Sequence, residues 1–199
     1  MYAPEFEYHR AATVAEAIQL LSSNEDAKLI AGGHSLLPLL KLRLARPSVL
    51  VDIGRISELK GITISDGTVR IGALTTHWEI SSSHDLEHAC GIMAEAAGGI
   101  GDTQVRNRGT IGGNVVHADP ASDWPAVLTA LDAKFNIQGA GGATRTVEPG
   151  EDHQRPLAIG HVVRPIILRS SQFGGLGGVA GGSVGQHQRL DLSRTLRFR

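Results

Sequence analysis

Apolar positions in the first third of the chain recur with two periods, which predict two kinds of element. In "TVAEAIQLLSSN" they return at helical spacing after a threonine, so we expect a helix over residues 13–22. The runs "AKLIAGG" and "SVLVDI" are rich in strand-forming residues and predict strands. Between them, "LLPLLKLRLA" predicts a helix or a turn followed by a helix, closed by Pro47. This order of elements predicts a β-α-β unit.

The middle of the chain changes to an antiparallel pattern. "GITISDGTVRIGALTT" alternates around Asp66-Gly67, a dipeptide typical of a two-residue hairpin turn. Helical spacing returns in "HWEISSSHDL", in "HDLEHACGIMAEAAGGI" and in "DWPAVLTALDA", where Asp123 lies at or near the N-cap. "KFNIQGAGGATRTV" predicts one further hairpin. A β-α-β unit followed by antiparallel strands indicates an α+β protein.

The composition changes near residue 149. Lysine does not occur after Lys134, and residues 150–199 contain seven arginines, three acidic residues and the glycine-rich run "FGGLGGVAGGSVGQHQ". With few large apolar side chains, little burial is left to offset the entropy lost on ordering this segment. We therefore expect a folded domain over 1–149 and a poorly ordered tail over 150–199 that takes no part in the core.

Charge and cysteine usage exclude several classes of protein. The 199 residues carry a formal net charge of -1, which gives no general attraction to nucleic acid or to an anionic membrane. The chain has no apolar run of about 20 residues and no signal-peptide pattern, so we expect a cytoplasmic protein without a membrane span. Cys90 is the single cysteine, so the chain by itself holds no iron–sulfur cluster; its neighbours predict a buried residue.

Two glycine-rich segments carry the candidate binding chemistry. They are Ala31-Gly32-Gly33-His34-Ser35 and Thr110-Ile111-Gly112-Gly113-Asn114. The first is not a Rossmann fingerprint, because glycines are missing at His34 and Leu37, and neither segment ends in the Gly-Lys-Ser/Thr of a P-loop. Loops of this kind still offer backbone N–H groups, hydroxyls and an amide to a diphosphate. One such loop alone is commonly a tight turn, whereas two with matching chemistry favour a dinucleotide.

The other polar clusters predict structural roles. In "HADPASD" the three candidate metal ligands lack a further ligand at a familiar spacing, and the same residues are ordinary chemistry for the start of a helix. His84 and His88 lie on one helix face without a third ligand. No spacing indicates a nucleophilic triad. We expect no metal site and no catalytic side chain.

Three stretches together resemble a known family. "AGGHSLLPLLKLRLARPSVLVDI", "TVRIGALTTH" and "GDTQVRNRGTIGGNVVHADPASDWPAVLTALDA" are similar to the FAD-binding medium subunits of the molybdenum hydroxylases, the family of the carbon monoxide and xanthine dehydrogenases. The resemblance covers about residues 1–147. It implies the FAD-binding fold of the PCMH or vanillyl-alcohol-oxidase type, with a smaller subdomain over about 1–55 and part of a larger one over about 56–149.

The resemblance also implies the residues of the site. Ala31, Gly32, Gly33, His34 and Ser35 match one diphosphate-binding loop of the family, and Thr110, Ile111, Gly112, Gly113 and Asn114 match the other. Asp123 matches an acidic residue on the adenosine side of FAD, and Ile100 matches an apolar position near the cofactor. FAD is expected in place of NAD or FMN. The glycines are expected because a Cβ would block the diphosphate.

The function implied by the resemblance is electron transfer. FAD would receive electrons from an iron–sulfur small subunit, itself supplied by a molybdopterin large subunit, within a heterotrimer or a dimer of heterotrimers. Beyond "GATRTV" the chain departs from the family, and its Arg/Gly-rich tail is what a truncation or a shifted reading frame would produce. The alternative is therefore a non-catalytic remnant that binds FAD weakly or binds only a partner subunit.

Overall fold

The computed structural model describes residues 2–119, 121–149 and 162–169, which fold into helices packed on two sheets. In the first sheet the strands run parallel in the order β1-β3-β2. The strands are β1 (Glu7–Arg10), β2 (Lys28–Ile30) and β3 (Val49–Asp52). Helix α1 (Val14–Ser23) connects β1 to β2, and helix α2 (Leu36–Lys41) connects β2 to β3. The predicted β-α-β unit is confirmed; β1 was not predicted.

Helix α1 is stabilised by its own N-cap and by one apolar face. The Thr13 hydroxyl accepts from the Glu16 N–H at 3.2 Å, which satisfies one of the free donors at the start of the helix. The buried residues of the helix, which repeat at helical spacing, are Val14, Ala17, Ile18 and Leu21. They pack with the parallel strands into a first hydrophobic core.

The second sheet is antiparallel, with the strand order β4-β5-β8-β6-β7. Its strands are β4 (Ile62–Ser65), β5 (Thr68–Ile71), β6 (Lys134–Gln138), β7 (Thr144–Val147) and β8 (Val162–Arg169). Asp66 and Gly67 join β4 to β5 with φ angles of +48° and +66°. Two positive φ values are typical of the predicted hairpin turn. Both predicted hairpins are confirmed.

Between β5 and β6 the described residues form five helices. They are α3 (His77–Ser81), α4 (His84–Gly99), α5 (Thr103–Arg108), α6 (Ile111–His117) and α7 (Asp123–Ala130). Helix α4 is interrupted at Cys90, where φ is -158° and ψ is 72°. Cys90 is buried, as predicted, and burial raises the pKa of its thiol. Side chains from α3, α4, α7 and the second sheet form a second core around the fully buried Trp124.

A buried segment, residues 72–77, runs from the end of β5 to the start of α3 and is called the connector below. On one side the Gly72 N–H donates to the Gly61 carbonyl at 2.9 Å, and the Leu74 N–H donates to the Leu59 carbonyl at 2.8 Å. Leu74 belongs to the first core, whereas Ile71, immediately before the connector, belongs to the second. The connector therefore joins the two cores.

Strand β8 corrects one prediction about the tail. Residues 162–169 form the central strand of the second sheet, pairing with β5 on one side and with β6 on the other. Ile166 and Leu168 are fully buried in the second core. Burial between two strands stabilises a segment whose own sequence has too weak a pattern to reveal it. The expectation of poor order for 150–161 and 170–199 lies outside the described residues.

Two further expectations concern the chain as a whole. Within the described ranges, no helix is both long enough and apolar enough to cross a bilayer. The division of 1–149 into subdomains near residue 55 stays a prediction, although the two cores have separate sets of side chains.

We predict that Ile166→Ala lowers the free energy of unfolding by about 2–5 kcal/mol, because it opens a cavity in the second core. Arg169→Ala is the control on the same strand; Arg169 is exposed, so a change within about 0.5 kcal/mol is expected. Urea unfolding of both variants measures the difference. Equal stability of the two variants would show that β8 is no part of the core.

Candidate functional site

The first glycine-rich segment, residues 31–35, forms the turn between β2 and α2. Gly33 has a φ of +78°, in the left-handed region that favours glycine. Among the described residues, the backbone N–H groups of Gly32, Gly33, His34 and Ser35 donate no hydrogen bond. His34 and Ser35 are exposed. This segment therefore presents consecutive unused donors at the surface, which is the chemistry of an anion site.

Gly32 places the first segment against the start of the second. A Cβ on Gly32 would lie 2.0 Å from the carbonyl oxygen of Arg108 and 3.1 Å from the Cα of Gly109. Only a residue without a side chain allows the two backbones to approach so closely. The chain continues from Gly109 directly into Thr110. The structure therefore brings together the two segments that the sequence singled out.

The second glycine-rich segment, residues 110–114, is not a loop as predicted but the N-cap and first turn of α6. Thr110 is the N-cap, and its hydroxyl accepts from the Gly113 N–H at 3.2 Å. The N–H groups of Ile111 and Gly112 donate to the connector, to the carbonyls of Thr75 at 3.1 Å and Ala73 at 2.9 Å. These amides are therefore already used within the protein. Gly113 is exposed, and Asn114 is half-buried with its Oδ1 accepting from the Ser122 hydroxyl.

The reason predicted for the glycines also needs correction at two positions. A Cβ on Gly112 would lie 2.6 Å from the Cβ of Ala73 and 2.7 Å from its carbonyl oxygen. Like Gly32, Gly112 meets the protein's own backbone, so both glycines are required by chain packing before any ligand is considered. A clash between a Cβ and a bound diphosphate is therefore not needed to explain why either position holds glycine.

Asp123 is the first residue of α7, and Ile100 lies at the end of the neighbouring helix α4. Ser122, the N-cap residue of α7, donates its hydroxyl proton to Asn114 Oδ1 at 2.6 Å. The exposed Asp123 directly follows Ser122, the residue that contacts the second segment. Ile100 is half-buried at the C-cap of α4, and its carbonyl accepts from Arg106 Nη1 at 3.1 Å. No hydrogen bond within the described residues joins the Asp123 side chain to either glycine-rich segment, and the aliphatic side chain of Ile100 has no group that could form one.

His77 is the residue of the site that the sequence did not single out. It is 2% exposed, and its N–H donates to the Gly109 carbonyl at 3.0 Å. Its Nδ1 accepts from Trp124 Nε1 at 3.3 Å. Burial lowers the pKa of His77 to about 4, so the ring is neutral near pH 7. The Thr76-x-x-Glu79 capping box is the signal that locates the start of α3 and places His77 within it.

Metal binding receives no support from the side chains that the structure describes. Among them, no three His, Cys, Asp or Glu residues are grouped so that they could hold an ion. Asp119 accepts from the Ala121 N–H at 2.9 Å, which is a local turn contact. His84 lies 3.6 Å from Glu87 in an exposed pair of little energetic weight.

The fold and the paired glycine-rich segments agree with one protein family. The model of the FAD binding domain in molybdopterin dehydrogenase matches residues 4–159. The chain belongs to this family of FAD-binding domains, and FAD is its cofactor.

Relatives and solved structures agree with this assignment. The chain is 50% identical to the carbon monoxide dehydrogenase medium chain of Hydrogenophaga pseudoflava, over 74% of this chain and 51% of that one. It is 38% identical to the xanthine dehydrogenase FAD-binding subunit of Escherichia coli O157:H7, over 68% of this chain and 47% of that one.

The solved carbon monoxide dehydrogenase of H. pseudoflava that lacks the Mo-pyranopterin moiety superposes with a TM-score of 0.81 at 45% identity. That match covers 85% of this chain and 60% of the other. The chain thus spans about half the length of the relatives it matches.

We predict that Gly112→Ala destabilises the protein by about 1–3 kcal/mol, because the added methyl group overlaps the backbone of Ala73. Gly99→Ala is the matched control at another helical glycine, where a Cβ would have no neighbour within 4 Å. There, the higher helix propensity of alanine should leave stability unchanged or raised. Thermal or urea unfolding without FAD compares them, and an unimpaired Gly112→Ala would refute the packing role.

We predict that His77 makes stability depend on pH. The unfolded histidine has a pKa of 6.5 and the folded one a pKa of about 4. Between these values the unfolded state binds the proton more readily, so stability falls as the pH is lowered through this window and is fully present above it. The difference corresponds to about 3 kcal/mol. Urea unfolding at several pH values should give a steeper acid loss for wild type than for His77→Asn; equal slopes would contradict this.

Proposed function

We propose that this chain is the FAD-binding, electron-transferring subunit of a molybdenum hydroxylase. The observation that carries the proposal is the contact of Gly32 with Arg108 and Gly109. It joins a segment of unused backbone donors to a second segment that presents the Asn114 side chain. Such a donor set fits the diphosphate of FAD, which carries negative charge on several oxygen atoms.

In this proposal the two segments hold the diphosphate in different ways. The N–H groups of residues 32–35 and the hydroxyl of Ser35 donate to its oxygens. Asn114 donates through its side-chain nitrogen, because its Oδ1 already accepts from Ser122. Within the second segment, the buried Thr110 caps α6 and the buried Ile111 donates its N–H to the connector, so these two residues hold the segment in place. No ammonium group is required, since backbone amides suffice for anion binding at such loops.

The ends of the cofactor are assigned to two further residues. Asp123 is proposed to accept hydrogen bonds from the adenosine side of FAD, for which its exposed carboxylate at the start of α7 is suited. Ile100 is proposed to supply an apolar contact to the cofactor.

Bound FAD supplies the redox chemistry, and this chain supplies its binding and surroundings. These 199 residues contain one cysteine, so they cannot by themselves hold an iron–sulfur cluster, and we assign the cluster that delivers electrons to FAD to a partner subunit. The names of the two relatives described above, a medium chain and an FAD-binding subunit, refer to parts of larger assemblies. We therefore propose an iron–sulfur small subunit and a molybdopterin large subunit as partners in a cytoplasmic heterotrimer, alone or as a dimer of heterotrimers.

We predict that the 199-residue chain binds FAD, and that Gly33→Val weakens this binding at least about tenfold. Valine resists the left-handed conformation at Gly33 and so turns the neighbouring N–H groups away from the ligand. Flavin fluorescence titration of the apoprotein measures the affinity. Chromatography of the nucleotide released from purified protein identifies it.

Gly141→Val is the matched control, because Gly141 also has a left-handed φ, of +68°, but lies in the β6–β7 turn. The two variants share the backbone strain, and only Gly33→Val should lose FAD affinity. Bound FMN or NAD in place of FAD, or protein that stays colourless with added FAD, would overturn the proposal. Electron transfer is tested by co-expression with candidate partner subunits, where substrate of the molybdenum subunit should bleach the flavin absorbance.

A further inference from the structure

The His77 side chain is buried, makes a specific hydrogen bond and has no role in the function proposed above. Its ring lies against Gly109, where a Cβ would come within 2.9 Å of His77 Cδ2 and 3.1 Å of Nε2. On its other side, the ring accepts the indole N–H of Trp124 through Nδ1, with ring centroids 6.0 Å apart. Trp124 is completely buried. His77 thus contacts both Gly109 and Trp124.

These two contacts connect residues next to the second glycine-rich segment with residues at the start of α7. Gly109 immediately precedes Thr110, and Trp124 immediately follows Asp123. A second connection between the same two regions is the hydrogen bond from the Ser122 hydroxyl to Asn114 Oδ1, at 2.6 Å. The start of α6 and the start of α7 are therefore joined twice, once at the surface through Ser122 and Asn114, and once in the interior through His77.

We propose that His77 is a positioning residue for FAD: by accepting from Trp124 while packing on Gly109, it fixes the start of α7 relative to residues 110–114. This inference rests on the proposed function, in which Asn114 faces the diphosphate and Asp123 the adenosine side. Both groups bind the ADP part of one ligand, so a shift between them weakens binding even if each side chain remains intact.

The chemistry of the ring explains why this position holds a histidine. A buried indole N–H without an acceptor costs about 1–3 kcal/mol, so Trp124 requires an acceptor inside the core. The neutral ring offers Nδ1 as that acceptor and leaves the proton on Nε2. Asparagine places an oxygen near the position of Nδ1 and preserves the acceptor. Leucine has a similar volume and removes it.

The test uses the 199-residue chain at neutral pH. It compares His77→Leu, His77→Asn, Trp124→Phe and the double variant His77→Leu/Trp124→Phe. FAD affinity is measured under conditions where urea curves show each variant to be folded. We expect His77→Leu and Trp124→Phe each to weaken FAD binding about tenfold or more, the double variant to be no weaker than the worse single variant, and His77→Asn to remain within about threefold of wild type.

ADP is the second probe, because the positions linked by His77 would all lie on the ADP part of FAD. The loss of ADP affinity in His77→Leu should match the loss of FAD affinity. Ile137→Val, in the second core on β6, is the control for stability alone. It should lower the free energy of unfolding and leave both affinities unchanged.

Three results would overturn the positioning role. One is wild-type FAD affinity in a folded His77→Leu or Trp124→Phe; another is a His77→Asn as weak as His77→Leu, which would exclude the acceptor as the cause. The third is a loss of FAD affinity without a loss of ADP affinity. Failure of the proposed function is distinguishable, because wild type itself would then bind no FAD. If wild type binds FAD and Gly33→Val weakens it while His77→Leu does not, only the positioning role fails.

Discussion

The arrangement of this domain depends on the backbone hydrogen bonds of the buried connector, residues 72–77. Its N–H groups reach the carbonyls of Leu59 and Gly61, at the edge of the first core. Its carbonyls accept from Ile111 and Gly112, at the start of α6. A buried backbone group that loses its partner costs about 1–3 kcal/mol, so neither set of bonds is given up easily. The connector therefore fixes the first core and the second glycine-rich segment against each other.

This constraint explains why glycine occurs where backbones meet. At Gly72 a Cβ would lie 2.4 Å from the Leu59 carbonyl oxygen, and Gly112 meets Ala73 in the same way. Gly32 makes the corresponding approach to Arg108 across the gap between the two segments. These glycines let three pieces of chain pack in contact before any cofactor binds. A site assembled in this way has less ordering entropy to lose when FAD arrives, which favours affinity.

The elements that the sequence predicted are those whose pattern is local. Helix α1, with its threonine cap and regular apolar face, and the Asp66-Gly67 hairpin needed no information from elsewhere in the chain. Strand β1 was missed because all its positions are exposed and show no alternation. Strand β8 was missed because its stability comes from pairing with β5 and β6, far away in sequence. Tertiary partners decide such segments, and propensity does not.

The candidate site follows the same division. The residue pattern singled out both glycine-rich segments, and it and the resemblance gave them identical roles as diphosphate loops. The first turn of helix α6 contains two glycines, which have poor helix propensity. The helix forms nevertheless, because Thr110 caps it and the connector accepts hydrogen bonds from its first N–H groups. Those bonds consume the amides that a loop would have offered. Within the described residues, no group accepts a hydrogen bond from the N–H groups of residues 32–35 in the first segment. Its amides therefore remain available to a ligand, whereas those of Ile111 and Gly112 in the second segment do not. Which amides remain available is a property of tertiary contacts, and no motif encodes it.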